Sequence, residues 1–517
     1  EAPGATPGTE QQFWTDGALD EWFDVRPIVA NESPSDSEGI EVLSVAVAHD
    51  RRFVHFLLEL SRSVNAQAMR GSIEVLIDGD GSASTGAEVD GLDGVDAVVV
   101  LSRPATGRDA SVGSGVGVRM AEGGSLGPVQ SAGAVGLVIA PTHSSRWFEL
   151  RLRRGVELGG QVRLADSGGT GLRGAVRYVD GGTRAEPIGP FDHQIAPSPV
   201  EANPPFSKEL LTAPVGTYRV VAWNVSDDFF KQKRERFQRI LNALQPQVVL
   251  LDEVYDEITP DELDEFFAPV GSAPGRVWEW SLAEGGGRQR TVVASGAYPV
   301  SPDPLLRRID YDPSELSAWA ESIGGSDAAL AKASLESEAG LSAMGAWVEV
   351  DGVSILHVPL DFESRGYDGS PEDQLRVLQA RTLNRRIHDV VASREDVGLV
   401  IGGDLNLVGS DRPLWALADG LGFRGDGLGV AHPLNAVERS LTTWRSTGNA
   451  DAFSPGRLDF VLYRHNQLSV VRAFVFDSGQ LDDQTLAELG VLSDDSWEAS
   501  EHLPIVVDFQ VVSPAPE

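Results

Sequence analysis

Two different periodicities divide this chain. Up to about residue 190, short apolar runs recur at 41–48, 53–60, 72–77, 97–101, 136–139, 148–152 and 175–179, with Gly, Ser and Asp turns between them. Runs of that length and spacing predict an all-β sandwich over 12–188, preceded by a flexible spacer at 1–11. Between 189 and 216 no period survives, and Pro190, Pro197, Pro199, Pro204, Pro205 and Pro214 mark a linker. From 217 the pattern changes. An apolar strand at 218–223 ends in Asn224, and a helix at 229–244 carries Phe237, Ile240, Leu241 and Leu244 on one stripe. A second strand at 248–251 ends in Asp252-Glu253, followed by strands at 291–294, 346–350 and 353–357, a helix at 373–391, and strands at 399–401 and 457–462. Strands alternating with helices, and ending in polar residues, predict an α/β domain over 217–511 with its chemistry at strand ends. Residues 310–341 read as a helical insertion rich in Ser, Ala and Glu, and 512–517 as a tail.

The stretch Leu399-Val400-Ile401-Gly402-Gly403-Asp404-Leu405-Asn406-Leu407 concentrates that chemistry. Positions two apart at a strand end share a face, so Asp404 and Asn406 would meet one ligand together. Gly402 and Gly403 would allow close backbone approach. A simple turn uses the same residue types. The other strand-end polar residues, Asn224, Glu253, His357, Asp459, Glu501 and His502, favour a site.

Composition narrows the field. Of 517 residues, 77 are acidic and 42 basic, a formal charge of −35. Residues 1–200 hold 27 acids and 16 bases, which leaves 50 acids and 26 bases, a charge of −24, for 201–517. Such a surface disfavours a polyanionic partner, since nucleic-acid binding draws on cationic phosphate contacts. Nucleic acid remains a partner only through a local basic groove. Cysteine is absent, which excludes disulfides, thiolate catalysis and cysteine metal sites. No apolar run approaches the roughly 18 residues of a membrane span. The opening Glu1-Ala-Pro-Gly-Ala-Thr-Pro-Gly-Thr is what a removed signal peptide leaves behind, and predicts a secreted or periplasmic protein.

In the first unit, Thr15-Asp16-Gly17-Ala18-Leu19-Asp20-Glu21-Trp22 and Ile77-Asp78-Gly79-Asp80-Gly81-Ser82 resemble sugar-binding β-sandwich modules of the family-nine and DOMON-like type. The resemblance implies a glycan or cell-surface ligand. Asp78, Asp80 and Ser82 alternate as oxygen donors do around calcium, which makes Ca2+ a candidate there. In the second domain, Trp223-Asn224-Val225, Leu251-Asp252-Glu253-Val254, Gly403-Asp404-Leu405-Asn406, Gly456-Arg457-Leu458-Asp459-Phe460 and Ser500-Glu501-His502-Leu503-Pro504-Ile505 stand in order. This series resembles the endonuclease/exonuclease/phosphatase superfamily, which includes pancreatic-type deoxyribonucleases. The resemblance implies an α/β four-layer sandwich, two packed mixed β-sheets flanked by helices, placed after the all-β sandwich.

A phosphodiester repels nucleophiles, so its hydrolysis calls for a divalent cation. Oxygen ligands suit Mg2+ or Mn2+. Glu253 is the leading ligand, with Asn224 beside it and Glu501 as a further one. Asp404 would deprotonate the attacking water and Asn406 would hold the water or a phosphoryl oxygen. His502 would donate to the phosphoryl group and Asp459 would orient His502. Arg290 is the candidate phosphate-binding cation. Two positions depart from the family: Glu501 stands where Asp is usual, and the second catalytic His falls in Leu356-His357-Val358-Pro359-Leu360. Aligning on Leu360 puts Pro359 at the His position; the reading preferred here takes His357, delivered by the strand at 353–356. The expected activity is an exported, metal-dependent phosphodiesterase acting on a small-molecule or lipid phosphoester by in-line attack of water. An extracellular nuclease and a non-catalytic binding protein with a decayed hydrolase domain are the alternatives.

Overall fold

The computed structural model describes residues 12–31, 39–103, 115–159, 162–166, 168–180, 183–184, 187–195, 197–201, 206–392, 394, 396–435, 437–445 and 453–512. The expected spacer at 1–11 and all but the first residue of the 512–517 tail lie outside them. The described residues cluster into two units: Glu1–Pro204 with Glu438–Ser440 and Ser446–Gly456, and Pro205–Val437 with Leu441–Arg445 and Arg457–Glu517.

The first unit is built from two main antiparallel sheets. One orders Val29–Ala30, Val42–His49, Phe53–Val64, Ser145–Arg153 and Val138–Ala140; the other centres on Thr170–Asp180, Ser72–Asp78, Ala97–Ser102 and Val116–Glu122. Alternate residues of both sheets, Val45, Phe56, Leu58 and Leu150 from one and Ile73, Val75, Val99 and Leu101 from the other, share one core. The Thr15–Trp22 motif is explained by packing. Glu149, buried on the strand Ser145–Arg153, accepts from the Asp16 and Gly17 N–H groups (3.0 and 2.6 Å) and from the Trp22 indole (2.6 Å). Burial nevertheless pushes this carboxyl up to about 8. The unit takes residues from far along the chain: Glu438 pairs with the buried Arg151 at 2.6 Å, and Arg439 pairs with Asp50. The expected linker is structured at both ends. Ile188–Ile195 is a strand paired with Thr170–Asp180, and Phe206 and Leu211 pack into the second unit's core.

The second unit carries ten principal strands. They are β1 Tyr218–Asp227, β2 Val248–Tyr255, β3 Glu279–Leu282, β4 Gln289–Ser295, β5 Ala346–Val350, β6 Val353–Asp361, β7 Gly398–Asp404, β8 Asp459–Tyr463, β9 Leu468–Val475 and β10 Ile505–Val511. One sheet runs β3-β4-β2-β1-β10-β9, with β1 and β2 parallel. The other runs Ser301–Pro302, β5-β6-β7-β8, Gly429–Val430, with β6 and β7 parallel. Helix α1 (Arg234–Leu244) connects the first parallel pair and α2 (Pro371–Val391) the second. Each sheet is thus centred on a strand–helix–strand crossover, the connection that parallel neighbours require.

Three cores show the layering. Val221, Trp223, Val249 and Leu251 face the helix α1 side with Phe237, Ile240 and Leu241. Leu356, Val358, Leu399 and Ile401 face α2 with Leu375, Leu383 and Ile387. The intervening residues Val220, Ala222, Val248, Leu250, Ile355, Val400 and Val461 meet between the sheets. Period-2 alternation thus splits every central strand between an outer and an inner face, giving helix, sheet, sheet, helix. One expectation is corrected in detail and another made more specific. The helix expected at 229–244 is broken at Lys233, whose φ of −117° and ψ of 24° leave the α region, so α1 is preceded by the separate short helix Asp228–Gln232. The 310–341 insertion is two helices, Pro313–Ser322 and Asp327–Ala339, whose Leu316, Trp319 and Ala320 join the α2-side core.

Candidate active site

Following the inner faces toward the strand ends produces the site. In the first sheet, the apolar positions Val220 and Ala222 lead to Asn224, and Val248 and Leu250 lead to Asp252; Asn224 and Asp252 stand in register. In the second sheet, Asp361, Asp404 and Asp459 form one cross-strand row on β6, β7 and β8. Just before that row the sheets approach closely at Gly402. A Cβ on Gly402 would lie 3.0 Å from the Ala222 Cβ and 3.1 Å from Leu250 Cδ1, so only glycine leaves the gap.

Glu253 enters through a backbone irregularity. The β1–β2 and β2–β4 registers both shift here, and Glu253 holds φ at 54°. A non-glycine residue in that region costs about 1–3 kcal/mol and marks a functional constraint. Asn406 holds φ at 49°, just past β7. The side chains knit together across the sheets. Asn224 Nδ2 donates to Glu253 Oε1 at 3.0 Å and approaches Asp404 Oδ2 at 3.4 Å. Asp404 Oδ1 accepts the Asn406 N–H at 2.8 Å, and Asn406 Nδ2 donates to the Phe362 carbonyl at 2.9 Å.

His502 Nδ1 lies 2.9 Å from Asp459 Oδ2, and His502 Nε2 lies 3.8 Å from Asp404 Oδ2. Burial disfavours a charged ring, but Asp459, Asp404 and Glu253 outweigh it and raise His502 to about 9. The surrounding carboxylates thus favour the imidazolium, and Nε2 is directed toward Asp404. Ser500 Oγ accepts the His502 N–H (3.0 Å) and donates to the Asn224 carbonyl (2.8 Å), while Trp223 Nε1 donates to the His502 carbonyl (2.9 Å). Thr443 Oγ1 accepts the Asp459 N–H at 3.1 Å.

Two carboxylate sets overlap at Asp404. Glu253, Asp361 and Asp404 each bring a ligand oxygen within 4.8 Å of the others, as do the ligand atoms of Asp404, Asp459 and His502. Burial, then Glu253 and Asp404, push Asp361 well above the ordinary carboxylate range. Burial, Asp459 and Glu253 do the same to Asp404 against the pull of His502. Asp252 is driven up by burial and then by Asp459, Asp361, Asp404 and Glu253, and neither of its oxygens has a hydrogen-bond partner. Five converging carboxyls with a single imidazolium among them are short of positive charge. The donor set fits a hard divalent cation.

The structure brings together Asn224, Glu253, Asp404, Asn406, Asp459 and His502 from the sequence-predicted set. It does not bring His357. That residue pairs with Val400, four positions before Asp404, or about 13 Å along the strand. His357 is wholly buried against Tyr218 at 6.1 Å between ring centroids, and burial lowers it to about 4. The β6 residue that reaches the site is Asp361. Glu501 belongs to neither carboxylate set among the described residues. Arg290 donates to the Asp256 and Ile258 carbonyls (2.7 and 3.2 Å), and the acid it feels is Asp256. Asp252, Asp361 and Ser500 are site residues that the sequence reading passed over. For Asp361 the signal was present: 357, 359 and 361 share one strand face.

No protein-family model matches the chain, and no curated protein does. Among solved structures the chain is similar to a humanized D. rerio TDP2, with 16% identity over 57% of this chain and 99% of that one at a TM-score of 0.35. It is similar to the human Nocturnin catalytic domain with bound sulfate, with 15% identity over 58% and 97% at 0.36. A third similarity is to the 3' phosphatase NExo from Neisseria bound to a product DNA hairpin, with 14% identity over 56% and 99% at 0.35.

Proposed function

We propose that the second unit is a divalent-cation-dependent phosphoester hydrolase, acting on a small-molecule or lipid phosphodiester outside the cell. The observation that carries this reading is Asp404, shared between an all-carboxylate set (Glu253, Asp361) and the hydrogen-bonded Asp459–His502 pair. Glu253, Asp361 and Asp404 would hold magnesium or manganese, with Asp252 adding charge behind them. The bound cation would neutralise the anionic phosphoryl oxygens that repel a nucleophile.

The chain's own groups do the rest. Asp404, fixed on Oδ1 by the Asn406 N–H and ionised once a cation offsets its neighbouring carboxylates, would take the proton of a water. The oxygen of that water bonds to phosphorus as the opposite P–O ester bond breaks, the leaving alkoxide taking a proton from solvent. His502 donates from Nε2 to the phosphoryl oxygen, a bond that strengthens as charge builds. Asp459 holds the ring on Nδ1, so the donating nitrogen faces inward. Asn224 bridges the Glu253 and Asp404 carboxylates by donating toward both. The −24 charge of residues 201–517 favours a small or lipid substrate over a nucleic acid.

The test is turnover of a soluble phosphodiester, a phosphomonoester and single-stranded DNA by the full chain, first chelated and then resupplied with Mg2+ or Mn2+. Diester turnover that vanishes on chelation and returns with metal supports the reading. Turnover indifferent to chelation refutes it.

A further inference from the structure

The first unit holds a separate cluster of acids that its fold does not explain. Asp78 closes the strand Ser72–Asp78 and Asp96 immediately precedes Ala97–Ser102; Ile77 and Ala97 are cross-strand partners, so Asp78 and Asp96 stand next along the same ladder. The Asp96 N–H donates to the Ile77 carbonyl at 2.8 Å. Two like charges facing each other at a strand end are destabilising unless something sits between them. Both residues are 0% exposed. The Gly79 N–H satisfies one oxygen of Asp96 (2.8 Å) and the Ser82 N–H one oxygen of Asp78 (3.2 Å). Asp78 Oδ2 and Asp96 Oδ1 remain buried with no partner.

Asp80, on the loop between them, completes a set whose ligand oxygens lie within 4.8 Å of one another. Gly94 shows what surrounds the unpartnered oxygen of Asp78. With φ at 84°, a Cβ there would sit 2.5 Å from the Ser82 carbonyl oxygen and 3.1 Å from Asp78 Oδ2. The Ser82 carbonyl therefore borders the same small space as that carboxylate oxygen. The Ser82 hydroxyl does not serve as the ligand the loop spacing suggests, because it pairs with Ser84 Oγ at 2.8 Å. Asp96, eighteen residues beyond Asp78, replaces it. None of the three acids is in an ion pair among the described residues; Asp80 accepts from the Ser82 N–H (2.9 Å) and Thr85 Oγ1 (3.0 Å), while Asp78 and Asp96 each keep one buried oxygen without a partner.

The Ser82 carbonyl is engaged by the Thr85 N–H and Oγ1 (3.2 and 2.8 Å), so the carboxylates carry the site. We propose that Asp78, Asp80 and Asp96 bind a calcium ion that locks the loop 79–86 onto the strand ends of the first unit. Carboxylate oxygens delivered partly by a loop suit the variable coordination of calcium better than the strict octahedron of magnesium. This site is independent of the hydrolase reading and stands if that reading fails.

The experiment is calorimetric titration of Ca2+ into the chelated full-length chain and into its Asp96→Asn, Asp80→Asn and Asp361→Asn variants, with thermal melts of each. Asp80 is exposed, so its variant folds whether or not Asp96→Asn does. The expected result is a Ca2+ site retained in Asp361→Asn and weakened at least ~10-fold in both first-unit variants, since even indirect supports of a metal site are worth that much. The melts should invert: in chelator Asp96→Asn matches or exceeds the parent, and in Ca2+ it falls below it. A parent that binds no Ca2+, or binding undiminished in Asp80→Asn, or binding lost in Asp361→Asn, overturns the proposal.

Discussion

At the residue scale, His502 and His357 show how environment divides two buried imidazoles. Asp459 and Asp404 hold His502 protonated up to about 9, whereas His357 has only the Ile355 carbonyl at 3.2 Å and is lowered to about 4. For His502 the folded value lies above the ordinary 6.5, so its charge stabilises the fold below pH 6.5 and that contribution fades as pH rises through about 9. Asp459→Asn keeps the shape and removes the charge. In chelated protein the His502 resonances should then titrate closer to 6.5, and with metal restored turnover should fall by roughly 10²–10⁴-fold, the scale of a positioned proton donor. An unchanged titration would show that Asp459 does not set the ring's charge. His357 runs the other way: below pH 6.5 the unfolded chain takes a proton that the folded ring refuses until about 4, so stability drops across that window. His357→Gln should flatten that loss in urea melts and leave turnover within about threefold, while Asp361→Asn should lower turnover by the ~10²-fold or more of a lost active-site group. The reverse order would restore His357 to the chemistry.

At the scale of elements, what could be read in the chain was period and termination. β1, β2, β6 and β7 each alternate between two apolar faces and give way to a carboxylate or carboxamide at or near their C-terminal ends, which is why Asn224, Glu253 and Asp404 were legible. What one-dimensional spacing could not supply was how far each strand advances before its row meets its neighbours. β6 runs four residues past His357, so the register with β7 selects Asp361. The split at Lys233 was hidden for a related reason, because the apolar stripe of α1 continues the count across the break. Gly402 tests the close approach that places the two sheets. Its added Cβ would meet Ala222 and Leu250, both anchored in central strands with nowhere to move. Gly402→Ala should cost about 1–3 kcal/mol in urea unfolding, the usual range for overpacking, and should lower turnover by separating Asn224 from Asp404. A variant as stable and as active as the parent would mean the sheets yield easily, and the site does not depend on their spacing.

At the scale of the whole molecule, the acidity that composition announced has two separate origins in the structure. Part is the buried carboxyls of Asp252, Asp361, Asp404 and Asp459, whose convergence suits a bound cation; the rest is spread over exposed positions and acts at a distance. The layered order of the second unit followed from alternation, but the first unit's claim on Glu438–Ser440 did not, because the partners of those residues, Arg151 and Asp50, lie nearly three hundred or more positions away. A net −24 over residues 201–517 sets how a charged substrate arrives. For a protein with a cationic groove, polyanion affinity falls steeply with salt through counterion release. Here the long-range field repels, and salt shortens its reach from about 30 Å at 0.01 M to about 8 Å at 0.15 M. Raising NaCl from 20 to 200 mM at fixed Mg2+ should therefore lower the KM for an oligonucleotide, while the KM for a singly charged diester moves little. An oligonucleotide KM that rises with salt would reveal a local basic track and turn the reading toward a nuclease. Indifference of both substrates would show that the acidic surface is screened from the site and carries no information about what enters it.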